Sequence, residues 1–359
     1  MSINKYPTAV ICLSPNAGGM ELDALKLAKL LDPHIDVTLI LQEKHFIHEQ
    51  CLQNTQYSNL KFETIKFHKT FSPSIIFHAR RIIKEKNIKN VIFLGASELK
   101  SLYFAFLNLN INLIVRHGTT KSTPKKDLFH KLIYSNISYH IAISKHLAKN
   151  IQKIIPFGKR TQLKTIIPSL INPPSTLEKT TSNKLRLIHI GRITPGKGLK
   201  EALEASDILY KNNISFAFNS FGEIDKSYKQ EFQAFINSLP YKNSFKLCGF
   251  TNNIYDEYPK HDIFIFPSKG EGFGNVIMEA LSHGIIILAF DNTAISDFKE
   301  MGFHLHLVEN QNTIALKEKL LHIAQNFKDE QIKAKKNISL AKQIFSPNRE
   351  ANEYIELLK

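Results

Sequence analysis

The sequence predicts an α/β protein built from two doubly wound, mostly parallel sheets. Three observations carry this. Its 359 residues leave room for about two to three domains of ordinary size. Short aliphatic runs alternate with amphipathic helical stretches in both halves, which argues for parallel strands covered by helices on both faces. Between the halves the pattern breaks, over Ile166–Pro174, into Pro168, Ser169, Asn172, Pro173 and Pro174, with a polar stretch on to Lys184.

In chain order, Ala9–Leu13 is a strand-like run that ends at Ser14-Pro15-Asn16-Ala17-Gly18-Gly19. Met20, Leu22, Leu25, Leu27, Ala28 and Leu30-Leu31 then recur at helical spacing. Val37–Leu41, Asn90–Leu94, Ile111–Val115 and Tyr139–Ile143 read as further strands, separated by helices after Pro73, Ser97, Lys126 and Ser144. The second series takes in Leu185–Ile190, a helix over Leu199–Leu209, Ser215–Asn219, Ser244–Leu247, Asp262–Phe266 and Ile285–Ala289. The predicted boundaries are a first domain at 1–171 and a second at 172–345. In open sheets of this kind ligands sit at the carboxyl ends of the strands.

Composition narrows the class. Hydrophobic residues form 43% of the chain, enough for buried cores. The longest apolar runs, such as Ile285–Phe290, are of strand length, far short of the roughly 20 residues that span a bilayer. Met1–Tyr6 leads straight into a strand without the basic start of a signal peptide. Cys12, Cys51 and Cys248 are scattered and show neither a disulfide framework nor metal-ligand spacing, so the expected compartment is the cytoplasm. Cys248 and the phenylalanines read as packing residues. Charge is unevenly divided. Residues 1–175 hold 24 Lys/Arg and 10 Asp/Glu, a net +14, and the remainder holds 23 and 22, a net +1. A drift of composition towards lysine would load both halves alike. The asymmetry points instead to an anionic partner for the first half: acidic lipid, a phosphorylated acceptor or nucleic acid. Lys121, Lys125, Lys126, Lys131, Lys145 and Lys149 form one basic cluster, and Arg80, Arg81 and Lys84 another.

Two motifs carry chemistry. Gly191-Arg192-Ile193-Thr194-Pro195-Gly196-Lys197-Gly198 follows a strand and opens a helix, a setting in which backbone amides approach an anion. It matches most of a nucleotide-hydrolase phosphate loop, but Gly198 stands where a magnesium-holding Ser or Thr is needed, so phosphate binding without magnesium-dependent phosphoryl transfer is expected. The second motif is Pro267-Ser268-Lys269-Gly270-Glu271-Gly272-Phe273-Gly274-Asn275-Val276-Ile277-Met278-Glu279. Glu271 sits in a glycine loop and Glu279 in the second turn of a helix starting near Gly274. The amides of Gly272–Val276 offer a second anion site between the two carboxylates. Such an array suits a ligand that is anionic in the middle and rich in hydroxyls at both ends.

Glu271 and Glu279, with seven residues between them, resemble the E-x7-E signature of family 4 glycosyltransferases, and Arg192 and Lys197 resemble the pair that this family places on the donor diphosphate. Ser220-Phe221-Gly222-Glu223 and Leu247-Cys248-Gly249-Phe250 stand at its glycine turns. Gly18-Gly19-Met20-Glu21 is similar to its N-terminal glycine loop over the diphosphate. Arg116-His117 after a strand is similar to its sugar-facing histidine, and Phe345-Ser346-Pro347 to the start of its last helix. Two departures stand out: Ile285 follows Gly284 where proline is usual, and Asp291, Thr293 and Asp297 occupy the region of a further glutamate. The resemblance implies the GT-B fold, with two Rossmann-like domains facing across a cleft and residues 346–359 as a helix returning to the first. It also implies retaining transfer of a hexose-type sugar from a nucleotide-diphosphate donor (a UDP-sugar, or alternatively GDP-mannose), with Arg192, Lys197, Glu271 and His117 as catalytic residues. Donor contacts fall to Gly18, Gly19, Gly272, Phe273, Gly274, Asn275, Val276 and Glu279, the last on the ribose.

No aspartates are spaced as D-x-D and no His/Cys spacing suggests a metal, so neither cofactor nor metal is expected. Pro124-Lys125-Lys126-Asp127-Leu128-Phe129-His130 resembles bacterial surface-polysaccharide and lipopolysaccharide transferases, which implies a lipid-linked or anionic glycan acceptor and peripheral contact with the inner membrane face. Competing readings are a two-carboxylate hydrolase, which has no use for the Arg192/Lys197 loop, and a nucleic-acid or membrane-binding module. No nucleic-acid-binding signature is present, and no nucleic acid is expected as partner.

Overall fold

Aliphatic runs become central strands when both of their edges find a partner, and that condition orders this chain. The computed structural model describes residues 6–170, 182–251 and 253–359. The start of the chain before Tyr6 and the 171–181 part of the predicted linker lie outside the described residues. By contacts the chain divides into two units, Met1–Ile171 with Pro347–Lys359, and Asn172–Ser346.

The first unit runs β1 (Thr8–Cys12), α1 (Gly19–Leu31), β2 (Val37–Gln42), α2 (Phe46–Gln53), β3 (Phe62–Ile65), α3 (Pro73–Glu85), β4 (Asn90–Leu94), α4 (Leu99–Ala105), β5 (Asn112–His117), α5 (Leu128–Tyr134), β6 (Tyr139–Ala142), α6 (Lys145–Ile154) and β7 (Gln162–Thr165). Its sheet has the order β3-β2-β1-β4-β5-β6-β7, parallel throughout. The order reverses between β1 and β4, which opens a crevice at the carboxyl ends of those strands. Side-chain caps fix the helix starts. Ser72 accepts from the Ser74 amide ahead of Pro73, Asp127 from His130, and Ser144 from Leu147.

The second unit runs β8 (Leu185–Ile190), a 3₁₀ turn at Pro195–Lys197, α7 (Leu199–Lys211), β9 (Phe216–Phe221), α8 (Lys229–Ser238), β10 (Phe245–Gly249), β11 (Ile263–Phe266), α9 (Asn275–Ser282), β12 (Ile286–Asp291), α10 (Ile295–Glu300), β13 (His306–Glu309), α11 (Thr313–Gln325) and α12 (Phe327–Ile344). The sheet order is β10-β9-β8-β11-β12-β13, again all parallel. At its base Arg186 meets Asp262 through Nε–Oδ2 at 2.9 Å and Nη2–Oδ1 at 2.8 Å, tying the start of β8 to that of β11. The last helix, α13 (Pro347–Leu357), belongs to the first unit. Its Ala351 and Tyr354, with Leu358 just beyond, share the core of β1 and α1. Glu350 accepts from the Ser169 amide at 2.7 Å, and Asn112 Nδ2 donates to the Leu357 carbonyl at 2.6 Å.

Several expectations need correction. Strands β3, β7 and β13 and helices α2, α8, α10, α11 and α12 have no counterpart in the sequence reading. All three strands lie at sheet edges, where FETI, QLKT and HLVE need bury only part of their side chains. Arg116 and His117 do not follow β5 but end it, because β4 and β6 pair with it to its last residues. Arg80 is no part of a free basic patch, since Nη1 donates to the Ala105 and Leu107 carbonyls at 2.9 and 2.8 Å. Phe71, Phe77, Phe129, Phe157 and Phe250 are exposed rather than packed, and Cys248 is only half-buried. His304, His306 and Glu330 also come together although no metal-like spacing was visible. Both imidazole Nε2 atoms lie 2.7–2.8 Å from Glu330 Oε2, while Lys333 takes Oε1 at 2.8 Å. The spacing hid this because the carboxylate arrives from α12. As found, the group clips that helix to the edge of β13, and Asn337, two turns further on, clasps the His304 backbone on both sides.

Candidate functional site

In the second unit, β8 ends at Ile190 and delivers the chain at Gly191 into the loop that precedes α7. Gly198, at φ 77°, is required there twice over. Its backbone is left-handed, and a β-carbon would fall 1.9 Å from the Pro267 carbonyl oxygen. The loop therefore packs directly against the 267–274 segment, a contact that the Lys269 amide seals by donating to the Gly196 carbonyl at 2.9 Å. Gly222 makes a similar approach on the other side, where a β-carbon would meet the Gly191 oxygen at 2.0 Å. Beneath the loop, His189 is buried between the Ser220 hydroxyl and the Lys197 carbonyl, and burial pushes its pKa down to about 4. It is a neutral support for the loop.

Close packing of the two loops brings together residues 74 positions apart. Lys197 Nζ donates to Glu271 Oε1 at 2.7 Å, and the buried Ser268 hydroxyl donates to the same oxygen at 2.6 Å. Thr293 holds the Glu271 backbone from both sides, accepting from its amide at 2.8 Å and donating to its carbonyl at 2.6 Å. Asn292 Nδ2 donates to the Ser268 carbonyl. Glu271 Oε2 has no partner among the described residues. The loop carboxylate is thus fixed in place with one oxygen committed and one open. Arg192 is exposed, and its charge adds to the Ser227 hydrogen bonds that hold the Asp225 carboxyl below its usual pKa.

Beyond Glu271 the chain turns through Gly272-Phe273-Gly274 into α9. Gly274 caps that helix, and its carbonyl accepts from Ile277 and Met278. Among the described residues no backbone carbonyl accepts from the amides of Phe273, Gly274, Asn275 or Val276, and Asn275 Oδ1 is buried without a partner. These are the orphan donors of a helix start, concentrated within one turn. The Phe273 side chain takes no part, since it lies in the core against Phe298 at 4.9 Å between ring centroids. Glu279 occupies a second neighbourhood on α9, where the Tyr258 hydroxyl donates to Oε2 at 3.0 Å and the Tyr255 hydroxyl to Oε1 at 3.3 Å. Tyr258 is wholly buried and stacks on His283 at 4.8 Å. Burial and the adjacent carboxylate hold its phenol far above its usual range, so it stays a donor.

Of the residues singled out in the first unit, Gly18 precedes the first turn of α1 in extended conformation and Gly19 opens it. Arg116, buried, is paired through Nη1 with Asp23 at 2.9 Å. His117, also buried, has Nε2 at 2.9 Å from His140 Nδ1, and its own Nδ1 has no partner. Burial, the neighbouring His140 and the charges of Lys121 and Lys125 hold its pKa well below the usual range. A neutral ring with one open nitrogen is a hydrogen-bonding group and not a cation. The structure joins Lys197 to Glu271, sets Glu279 in its own niche, and keeps Gly18, Gly19 and His117 in the first unit. Tyr255, Tyr258, His189 and His140 are given no role by the sequence reading. Polar and aromatic residues of these common types carry no spacing that marks them.

Comparison with known proteins follows from this geometry. Residues 176–345 match the family model described as glycosyl transferases group 1. Over 328 residues the chain is 24% identical to the capsular polysaccharide biosynthesis glycosyltransferase CapH of Staphylococcus aureus, covering 82% of this chain and 84% of that one. Over 304 residues it is 22% identical to the N-acetylgalactosamine-N,N'-diacetylbacillosaminyl-diphospho-undecaprenol 4-alpha-N-acetylgalactosaminyltransferase of Campylobacter jejuni, covering 79% and 80% respectively. Among solved structures, that of HepE from Anabaena in complex with UDP and glucose shares the fold. The TM-score is 0.79 at 17% identity, over 98% of this chain and 99% of that one.

Proposed function

We propose that this chain, whose residues 176–345 match the group 1 glycosyl transferases, is a retaining, metal-independent enzyme of that family that moves a hexose-type sugar from a nucleotide-diphosphate donor to an anionic glycan or lipid-linked acceptor. The observation that carries this is the Lys197–Glu271 pair, held beside the unaccepted amides of Phe273–Val276. With no donor bound the two charges neutralise each other. A donor that enters gives its diphosphate to Lys197, Arg192 and the amides, and its sugar hydroxyls to Glu271, so each partner exchanges one charged or polar neighbour for another. Glu279, braced by Tyr255 and Tyr258, takes the ribose diol. A UDP-sugar is favoured over GDP-mannose, in keeping with the UDP held by HepE.

In the proposed step the bond between the anomeric carbon and the phosphate oxygen breaks, and its electron pair leaves with the nucleoside diphosphate. The acceptor oxygen forms the new bond on the same face, and its proton passes to the departing phosphate. Negative charge grows on that phosphate, and preorganised positive groups aimed at it lower the barrier. His117, neutral and with Nδ1 buried but unpartnered, is the proposed hydrogen-bonding group of the first unit for a sugar hydroxyl, and Gly18 and Gly19 are its proposed contacts to phosphate oxygens. Stabilisation of the leaving group falls to arginine, lysine and amides, so no metal is required.

On the acceptor side, the Campylobacter relative is named for a sugar carried on diphospho-undecaprenol. No helix among the described residues is long and apolar enough to cross a membrane. Helix α5 exposes Leu128, Phe129 and Leu132 beside Lys126 and Lys131, an apolar face with a basic border that suits peripheral contact with an acidic leaflet on the cytoplasmic side. Calorimetry of UDP binding with and without chelator tests the core of the proposal. Affinity unchanged by EDTA and abolished in Lys197→Ala is the expected result, and affinity that collapses on chelation would refute metal independence.

A further inference from the structure

Within the first unit, the turn after β4 and helix α5 enclose a cavity of about 290 Å³ lined by Ser97, Lys100, Lys125, His130, Ile133 and Tyr134, among others. It lies at the small end of the range for ligand pockets, a size for an anionic group and not for a whole nucleotide sugar. No carboxylate lines it. Lys125 is pulled below its usual pKa by burial and then by Lys100, and Lys121 by burial and then by Lys125, so the three ammonium groups feel one another. Among the described residues none of them forms an ion pair, whereas Lys61 and Lys86 in the same unit are paired with Asp36 and Glu63 at 2.7 and 2.9 Å. Of the nearest acids in sequence, Glu98 is buried and accepts from the Ser97 hydroxyl at 2.9 Å, and Asp127 is engaged by its own helix. One oxygen accepts from the His130 amide and the other meets His130 Nδ1. Repulsion among part-buried, unpaired cations is unfavourable unless an anion relieves it. Tyr134 adds a phenol whose burial raises its pKa to about 12, so it stays a donor at neutral pH.

We propose that this cavity binds a phosphate or diphosphate group of the acceptor, with Lys100 and Lys125 as direct ligands, Tyr134 as hydrogen-bond donor and Lys121 strengthening the field from behind. The inference rests on reading the first unit as the acceptor side. Its position agrees with that role. The Tyr134 ring lies 5.8 Å from His140, and His140 in turn holds His117 at 2.9 Å, so the anchored phosphate sits two rings away from the proposed sugar-contacting nitrogen. The anion can come from a lipid-linked diphosphate or from a phosphorylated glycan, and the shared chemistry is the phosphate.

The experiment uses the full chain saturated with UDP, so that the phosphate loops of the second unit are filled, and titrates inorganic pyrophosphate by calorimetry and thermal melting. Saturable binding and a rise in Tm are expected. Lys100→Gln and Lys125→Gln, singly and together, should weaken pyrophosphate binding about 10- to 100-fold, as for the loss of a charged hydrogen-bond partner. UDP affinity should not change, and the Tm of the anion-free double variant should hold or rise as repulsion is removed. Equal pyrophosphate affinity in wild type and variants, or no binding beside UDP, would overturn the proposal while leaving the donor site standing. Failure of UDP itself to bind would strike the donor reading and not this pocket. A soluble prenyl diphosphate and a sugar 1-phosphate then compete for bound pyrophosphate. Displacement by the first marks a lipid-linked acceptor, displacement by the second a phosphorylated glycan, and displacement by neither would refute the acceptor role.

Discussion

The two units use the same scaffold, a parallel sheet under helices, and treat charge in opposite ways. In the second unit several cations have acids of their own: at the 191–198 and 267–274 loops Lys197 has Glu271 and Lys269 has Glu201 at 3.0 Å, and at the base of the sheet Arg186 has Asp262. In the first unit Lys100, Lys121 and Lys125 have none among the described residues, and the buried histidines beside them are neutral. A compensated site stays ordered when empty and exchanges partners when filled. An uncompensated one is under electrostatic strain until an anion arrives. The net charge differs in the same direction, +14 over residues 1–175 and +1 over the remainder.

The largest expected effect tests the compensated unit. Lys197→Ala and Arg192→Ala should each lower kcat/KM by about 10²-fold or more, the scale of removing an oriented charge stabiliser. Glu279→Ala should raise the donor KM and change kcat less, since ribose contacts hold ground and transition states alike. Steady-state kinetics in which Glu279→Ala dominates kcat would reverse the assignment of the two carboxylates.

Next in size is a pH effect shared by both units. Burial lowers His140 and His189 from 6.5 to about 4. The unfolded chain then binds these protons first, so stability is full above about pH 6.5 and falls as the pH drops toward 4, by about 3 kcal/mol at most for each ring. Urea melts between pH 7.5 and 4.5 should show the decline, with a shallower slope in His189→Gln and His140→Gln. A flat profile would mean that these rings take up protons in the folded protein as readily as in the unfolded chain, and that burial does not hold them neutral.

The smallest effect concerns the uncompensated unit at a lipid surface. Leu128→Ser with Leu132→Ser should weaken binding to acidic vesicles about 10-fold, and Lys126→Gln with Lys131→Gln by about 1 kcal/mol per charge, in each case without changing UDP affinity. Sedimentation with vesicles of graded acidic lipid content measures both. Binding that ignores the leucines would leave α5 as a purely electrostatic surface.

How legible each part was in the sequence follows from how local its cause is. Central strands such as β4 and β12 are unbroken aliphatic runs because both faces and both edges are covered. The edge strands β3, β7 and β13 carry polar residues and were missed. The glycine loops at 191–198 and 267–274 stood out because close approach of backbone to backbone admits no side chain at Gly198. What could not be read is the choice of distant partners. Nothing near Glu271 in sequence announces Thr293, nothing near Glu279 announces Tyr258, and Glu330 is 24 residues from the histidine it holds most tightly. Spacing encodes what a single loop or helix presents, and the sheet decides who meets it.

Helix α13 has a consequence for how the protein comes into being. The first unit takes part of its core from residues beyond 347, including Tyr354, which shares a cluster with β1 and α1. During synthesis the second unit is therefore complete before the first can close. Until α13 emerges, the Ser169 amide lacks its acceptor on Glu350, and the Asn112 side chain lacks the Leu357 carbonyl. The usual order, in which the leading domain folds first, is inverted here. A chain cut short near residue 346 would carry a complete second unit and an unfinished basic one.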